Sequence, residues 1–170
     1  MQQGLAVISA RTAALNRFMD AYTRVARLPQ PRLQPVEVAA CVQRVVGLET
    51  HLKVGIEAGQ ALKLQADGDQ LDQLLINLIR NATDAAAETG GGVTIGWRRA
   101  AAQVEIWIED EGPGLSNTTN LFVPFFTTKP NGTGIGLVLC RQIAEAHGGT
   151  LTLENRSQGA GCIARLRLPL

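Results

Sequence analysis

The sequence predicts an α+β fold: a two-layer sandwich in which one mixed sheet carries three helices on one face, preceded by one long amphipathic helix. Three observations carry this expectation. Apolar residues recur at three- and four-residue steps over residues 36–48, 68–88 and 135–147, the spacing of buried helix faces. They alternate or run in short stretches at 52–58, 61–67, 93–99, 103–110, 150–155 and 162–168, the signature of strands. The two kinds of element come in blocks, without the strict strand–helix alternation of a parallel α/β sheet.

In chain order, residues 2–28 place Leu5, Ile8, Thr12, Leu15, Met19, Tyr22 and Ala26 at alternating three- and four-residue steps. That is a heptad seam, and it suits either a helix lying on its own domain or one half of a helical pairing surface. Pro29 and Pro31 end the helix and Pro35 stands just before the next one, so LPQPRLQP reads as a short, stiff linker. The expected boundaries are 1–30 for the first helix, 31–35 for the linker and 36–170 for the main domain. In that domain Val38, Val42, Val45 and Val46 form the apolar face of a helix, and two short strands follow it. Leu71, Leu74, Leu75, Leu78, Ile79 and Ala82 then face one side of the longest helix. Gly90, Gly91 and Gly92 turn the chain into a strand pair, the second member of which ends at Asp110. Gly148 and Gly149 cap the last helix, and two strands close the chain.

Composition narrows the class. A chain of 170 residues with 45% hydrophobic content can bury one good core with an appended helix. A net charge of +1 provides no basic field for nucleic acid. Cys41, Cys140 and Cys162 lack metal-site spacing and sit in expected helices or a strand, which reads as reduced core cysteines. No apolar run approaches the roughly 18–20 residues that span a bilayer. The expected location is cytoplasmic, with inner-membrane anchorage of a longer protein left open. Met1 opens directly into helical sequence, which implies a piece of something longer.

The chemistry concentrates in DEGPGLSNTTNLFVPFFTTKPNGTGIGL, residues 110–137. Glycines allow a backbone to pass close to a ligand, and a glycine cluster opening a helix leaves N–H groups facing a phosphate chain. By itself such a run is equally a set of turns. A dinucleotide fold is excluded because no buried strand precedes the glycines, and a Walker loop because no Gly-Lys-Ser/Thr occurs. The second signal is upstream, where Asn77 and Asn81 stack four residues apart on an otherwise apolar helix. They are either satisfied amides or carbonyl donors for a hard cation such as Mg²⁺, which takes few protein oxygens and shares phosphate oxygens.

Together these residues resemble the ATP-binding domain of the sensor histidine kinases, in the superfamily that includes gyrase, the heat-shock chaperone ATPases and MutL. QLLINLIRNATDAA at 73–86 is similar to its N box and DEGPG at 110–114 to its G1 box. Residues 121–126 are similar to its F box and 132–137 to its G2 box. The resemblance covers about residues 36–170. The wording TTKPNGTGIGL and ARLPQP is most similar to kinases of the nitrogen-regulatory type. The resemblance implies a Bergerat-type fold and ATP with Mg²⁺ as ligands. It also implies a phosphotransfer partner in the dimerisation hairpin, whose second helix is residues 1–30, a homodimeric full-length kinase and a cognate response regulator.

It assigns roles as well. Asp110 accepts from the adenine amino group, and Gly112 and Gly114 pass beside the base. Asn81 binds Mg²⁺, with Asn77 in the same shell. Thr133, Gly134, Gly136 and Leu137 present the phosphate-binding turn. Thr128 and Lys129 reach the terminal phosphates, although a solvated lysine is an equal reading. Phe122, Phe125 and Phe126 are expected to pack within the loop. In hydrolysing relatives an acid stands one turn before the Mg²⁺-binding asparagine; here it is Asn77, and an amide takes no proton at neutral pH. The implied catalytic set is therefore Asn77, Asn81 and Lys129, in a kinase. A conformational ATPase or a non-hydrolysing nucleotide-binding module is the alternative. Two departures stand out. Cys162 follows Gly161 where the family has threonine, and neither His51 nor His147 lies in the context of a phosphoacceptor histidine.

Overall fold

The computed structural model of the chain describes residues 28–116, 120–127, 129 and 132–170. The expected heptad helix lies outside the described residues. The described elements are β1 (Gln34–Glu37), α1 (Val38–Val46), β2 (Val54–Glu57), β3 (Lys63–Ala66), α2 (Gly68–Thr89), β4 (Val93–Ala100), β5 (Gln103–Asp110), α3 (Gly136–Ala146), β6 (Thr150–Asn155) and β7 (Cys162–Pro169).

Five strands form one mixed sheet in the order β2-β4-β5-β7-β6. β2 pairs with β4 in parallel and the other neighbours are antiparallel. Alternation along β5 sends Val104, Ile106 and Ile108 to one face, where they join the core of all three helices. Glu105, Trp107 and Glu109 take the other face. Asp110 has the parity of the core residues, so the next inward position after Ile108 is a carboxylate. That single substitution of charge for apolar bulk begins the site.

The opposite face is polar. Arg98, Glu105 and Arg167 stand side by side across three strands. Glu105 is 1% exposed and bonds Arg98 at 2.6 Å and Arg167 at 2.7 Å. Burial pushes its carboxyl up, but the hydrogen bonds from Arg167 and Arg98 outweigh it, and the group lies below its ordinary range.

α2 is the long element, at 22 residues about 33 Å. Asp67 caps its start by accepting from the Gln70 N–H, and Gly90 ends it in the left-handed region at φ 71°. Leu71, Leu74, Leu75, Leu78, Ile79, Ala82 and Ala86 bury one stripe. The Arg44 guanidinium grips Asp72 with two 2.7 Å bonds, tying α1 to α2.

The sequence expectation of a helix from residue 36 is corrected here. Gln34 and Pro35 belong to β1, and α1 begins at Val38. Proline at 35 resists helix interior positions and biases Gln34 toward extended backbone. β1 pairs antiparallel with β3 as a separate two-stranded ribbon, so β3 is not a member of the main sheet. The ribbon sits beside a junction that ties the linker down. The Arg32 N–H donates to Asp67 Oδ2 at 2.9 Å and the Gln70 amide donates to the Pro29 carbonyl at 2.9 Å. The Asp67 N–H in turn donates to His147 Nε2 at 3.0 Å, and Nδ1 lies 2.8 Å from the Ile143 carbonyl. These two bonds require the neutral imidazole with its proton on Nδ1.

Candidate functional site

The site is assembled along one side of α2. Three segments touch it in succession, from Asn77 to Ala85, a rise of about 12 Å. At Asn77, the first residue of α3 approaches, and a Cβ at Gly136 would lie 3.8 Å from the Asn77 amide oxygen. At Asn81 and Asp84, the Lys129 ammonium arrives, 3.3 Å from Asn81 Oδ1 and 2.7 Å from Asp84 Oδ2. At Ala85, the turn after β5 presses in. A Cβ at Gly112 would stand 2.8 Å from the Ala85 carbonyl carbon and its Cβ, so only glycine lets the turn reach the helix.

Asp110 is 5% exposed. Its Oδ1 accepts the Gly112 N–H at 2.9 Å and the Cys162 N–H at 3.3 Å, so both of these bonds fall on one carboxylate oxygen. Burial raises its pKa above the ordinary value, against the opposing pull of those two N–H groups and the Arg156 charge. Burial also pushes the neighbouring Cys162 thiol up to about 12, with the Asp110 charge adding to it, so that group stays a neutral thiol.

The supporting contacts were not anticipated from sequence. Asn155, at the end of β6, clasps Leu115 by accepting its N–H at 2.6 Å and donating to its carbonyl at 3.1 Å. This pins the backbone just after Gly114. Arg156 bonds Glu109 at 2.7 Å and the Ala160 carbonyl at 3.1 Å. Thr89 donates to the Glu111 carbonyl at 2.7 Å, and Glu111 Oε2 accepts the Gly92 N–H. Polar residues at strand ends are common, and no spacing rule marks these. Asp84 had a legible signal: with Asn77 and Asn81 it completes an i, i+4, i+7 stripe.

Ahead of α3, Gly134 has φ 65°, and a side chain there would run into the Phe125 backbone, whose N–H donates to the Gly134 carbonyl at 3.0 Å. The first helical bond of α3 is donated by Leu139 to Ile135, and Ile135 contributes no side-chain cap. The N–H groups of Gly136, Leu137 and Val138 therefore stand ahead of the helical ladder at its positive end. Thr133 is exposed, and Leu137 is half-buried against the core. Phe122 packs on the core beneath the Arg141 guanidinium at 5.2 Å, while Phe125 and Phe126 are exposed. Thr128 lies outside the described residues.

No group of three or more His, Cys, Asp or Glu among the described residues could cage a metal. The donors here are amide oxygens, which suit a cation that keeps its waters and shares a substrate's phosphates. Asn81 Oδ1 already faces a cation, the Lys129 ammonium. Its surroundings therefore fit Mg²⁺, with Asn81 and Asn77 as the residues that would hold it. A cavity of about 360 Å³ opens on the opposite sheet face, lined by Glu109, Glu154, Arg156 and Arg165, charges that pair among themselves.

Residues 66–170 match the family described as histidine kinase-, DNA gyrase B-, and HSP90-like ATPase. The chain belongs to that family. It is 42% identical over 117 residues to the C4-dicarboxylate transport sensor protein DctS of Rhodobacter capsulatus, covering 66% of this chain and 18% of that protein. It is 31% identical over 177 residues to the sensor histidine kinase ZraS of Klebsiella oxytoca, covering 98% of this chain and 38% of that one. The catalytic domain of histidine kinase ThkA superposes with a TM-score of 0.72 at 28% identity, covering 81% of this chain and 95% of that domain. The five-stranded mixed sheet with its helices is thus the expected α+β sandwich. The chain spans less than two fifths of the length of these curated relatives.

Proposed function

We propose that this chain is the ATP-binding catalytic part of a two-component sensor histidine kinase, passing the γ-phosphate of Mg-ATP to a histidine on another segment. The observation that carries this reading is the pairing of a buried carboxylate, Asp110, with the amide stripe of Asn77 and Asn81 on one helix. Asp110 Oδ2 supplies an acceptor suited to an exocyclic amino group, which adenine has at its six-position and guanine does not. The N–H groups at the start of α3 face the phosphates. Mg²⁺, when bound, supplies neutralisation of phosphate charge.

Transfer to a protein nucleophile fits better than hydrolysis. Asn77 cannot act as a base, and the carboxylate on the same stripe, Asp84, is engaged by Lys129. His147 has both ring nitrogens committed to backbone groups, and His51 is an exposed residue ahead of β2. Neither is the acceptor in this reading. The acceptor lies on the first helix of a dimerisation hairpin, of which residues 1–30 are the second helix. Residues 31–35 connect it to the catalytic domain at 36–170. The full-length protein is a homodimer that serves a response regulator, with the catalytic domain on the cytoplasmic side. Within the kinases, the wording TTKPNGTGIGL and ARLPQP supports a reading of the nitrogen-regulatory type.

Titration calorimetry with Mg²⁺ tests the nucleotide: ATP and ADP bind, and GTP binds far more weakly. Equal ATP and GTP affinities would overturn the adenine assignment. Incubation with γ-labelled ATP tests the acceptor. No acid-labile label should appear on His51 or His147, whereas a supplied phosphoacceptor helix becomes labelled in trans.

A further inference from the structure

Lys129 is held in place by more than its side chain. Its N–H donates to Thr127 Oγ1 at 3.1 Å and its carbonyl accepts the Gly132 N–H at 3.1 Å. Its ammonium then spans α2, with Asp84 Oδ2 at 2.7 Å and Asn81 Oδ1 at 3.3 Å. Asp84 lies three residues beyond Asn81, so both oxygens face the same way and one ammonium reaches both. Asn81 alone is a neutral acceptor and a weak anchor for a lysine. The carboxylate is what fixes the ammonium there, because at 2.7 Å it adds the attraction of an opposite charge to the hydrogen bond, whereas the amide oxygen at 3.3 Å has no charge to add.

We propose that Asp84 is a positioning residue of the nucleotide site: it holds the Lys129 ammonium on the Asn81 amide oxygen, so that entry of the metal–nucleotide is an exchange of cations on that oxygen. This rests on the reading of Asn81 as a Mg²⁺ ligand. An amide oxygen aimed at an ammonium presents the same lone pairs that a metal ion would take. The incoming ion therefore displaces the lysine, which Asp84 retains within a helical turn of the phosphates. Mg²⁺ contributes less to nucleotide affinity than it would at an open asparagine, because part of its gain is spent in that displacement.

The test compares ADP affinity by calorimetry with Mg²⁺ and with EDTA, and takes the ratio of the two. ADP lacks the γ-phosphate, so no contact of Lys129 with that group enters the comparison. In Asp84→Asn and in Lys129→Met the ratio rises about threefold to fivefold, the worth of a half-exposed ion pair. The double variant rises no further than either single one, because the two residues act through one contact. An unchanged or smaller ratio in either single variant, or gains that multiply in the double, overturns the proposal. Wild-type protein that binds ADP in neither buffer would instead remove the nucleotide reading itself, and this proposal with it. Unfolding curves of each variant, matched to wild type, show that the ratio is read on folded protein.

Discussion

The two ends of the site are built from different materials. At the Asp110 end, a buried carboxylate is held by backbone N–H groups, a glycine is pressed against α2, Asn155 at the end of β6 clasps Leu115, and Arg156 just after it pairs with Glu109. At the Lys129 end, the contacts with α2 run between side chains, the lysine and Asp84 are 38% and 49% exposed, and Phe125 and Phe126 face solvent. The first end is part of the fold, so in the proposed reading selectivity for the base and stability of the domain share the same atoms. The second end is made of contacts that break without disturbing the core. A binding site that must recognise one group and release another gains from this division: the fixed end sets identity, and the exchangeable end admits charge.

The largest effect should come from breaking the fixed end outright. Asp110→Ala leaves the Gly112 and Cys162 N–H groups buried without a partner, which costs about 1–3 kcal/mol of stability. It also removes the acceptor for the base, worth on the order of 10- to 100-fold in affinity. Denaturant melts and calorimetry should show both losses together. A melt unchanged from wild type would detach the carboxylate from the fold.

Asp110→Asn sharpens the distinction. Its Oδ1 keeps both backbone bonds, so stability should stay near wild type, while the amide nitrogen replaces Oδ2 at the ligand position. A donor there opposes adenine and favours a carbonyl. The ratio of ATP to GTP affinity should fall and move toward GTP. Retained adenine preference would place base recognition elsewhere.

Next in size is the response to pH, where the two buried carboxylates of β5 act in opposite senses. Asp110 has its folded pKa above its unfolded value, so its charged form costs stability above the folded pKa. That cost is relieved as pH falls through the folded pKa toward 3.8, while nucleotide affinity falls over the same window. Glu105 has its folded pKa below 4.5, so its stabilisation is present above 4.5 and is lost as pH falls through the lower, folded value. Denaturation curves between roughly pH 3 and 6 should therefore show a shallower acid-side decline in Glu105→Gln, with Asp67, also held below its ordinary value, supplying part of what remains. In Asp110→Asn the decline should begin at higher pH. Identical pH profiles in both variants would count against the assigned shifts.

The smallest effect belongs to the exchangeable end. An ion pair this exposed contributes about 0–1 kcal/mol, so Asp84→Asn should leave the unfolding midpoint of the ligand-free domain almost unmoved. A large loss would mean that the Lys129 contact is structural.

Much of this division was already present in the order of residues. The alternation Val104, Ile106, Ile108, Asp110 places a carboxylate on the core side of a strand by a period of two. The spacing of Asn77, Asn81 and Asp84 places three oxygen-bearing side chains on one side of a helix by its period of 3.6. Periodicity is local geometry, and a sequence displays it directly. Glycine at 112 and 134 was legible as permissive backbone, though not the helix or the loop that each one meets. Pro35 marks a coming helix in the sequence, but the helix begins only at Val38, and the strand that Pro35 occupies exists because β3 lies alongside. What the tertiary structure alone decided are contacts between distant segments. Lys129 meets Asp84 across 45 residues and His147 meets Asp67 across 80. A side chain's residue type states what it can bond, and the path of the intervening chain states which partner it reaches. That path is fixed by the packing of the whole core, so these pairings have no signature in any short stretch of sequence.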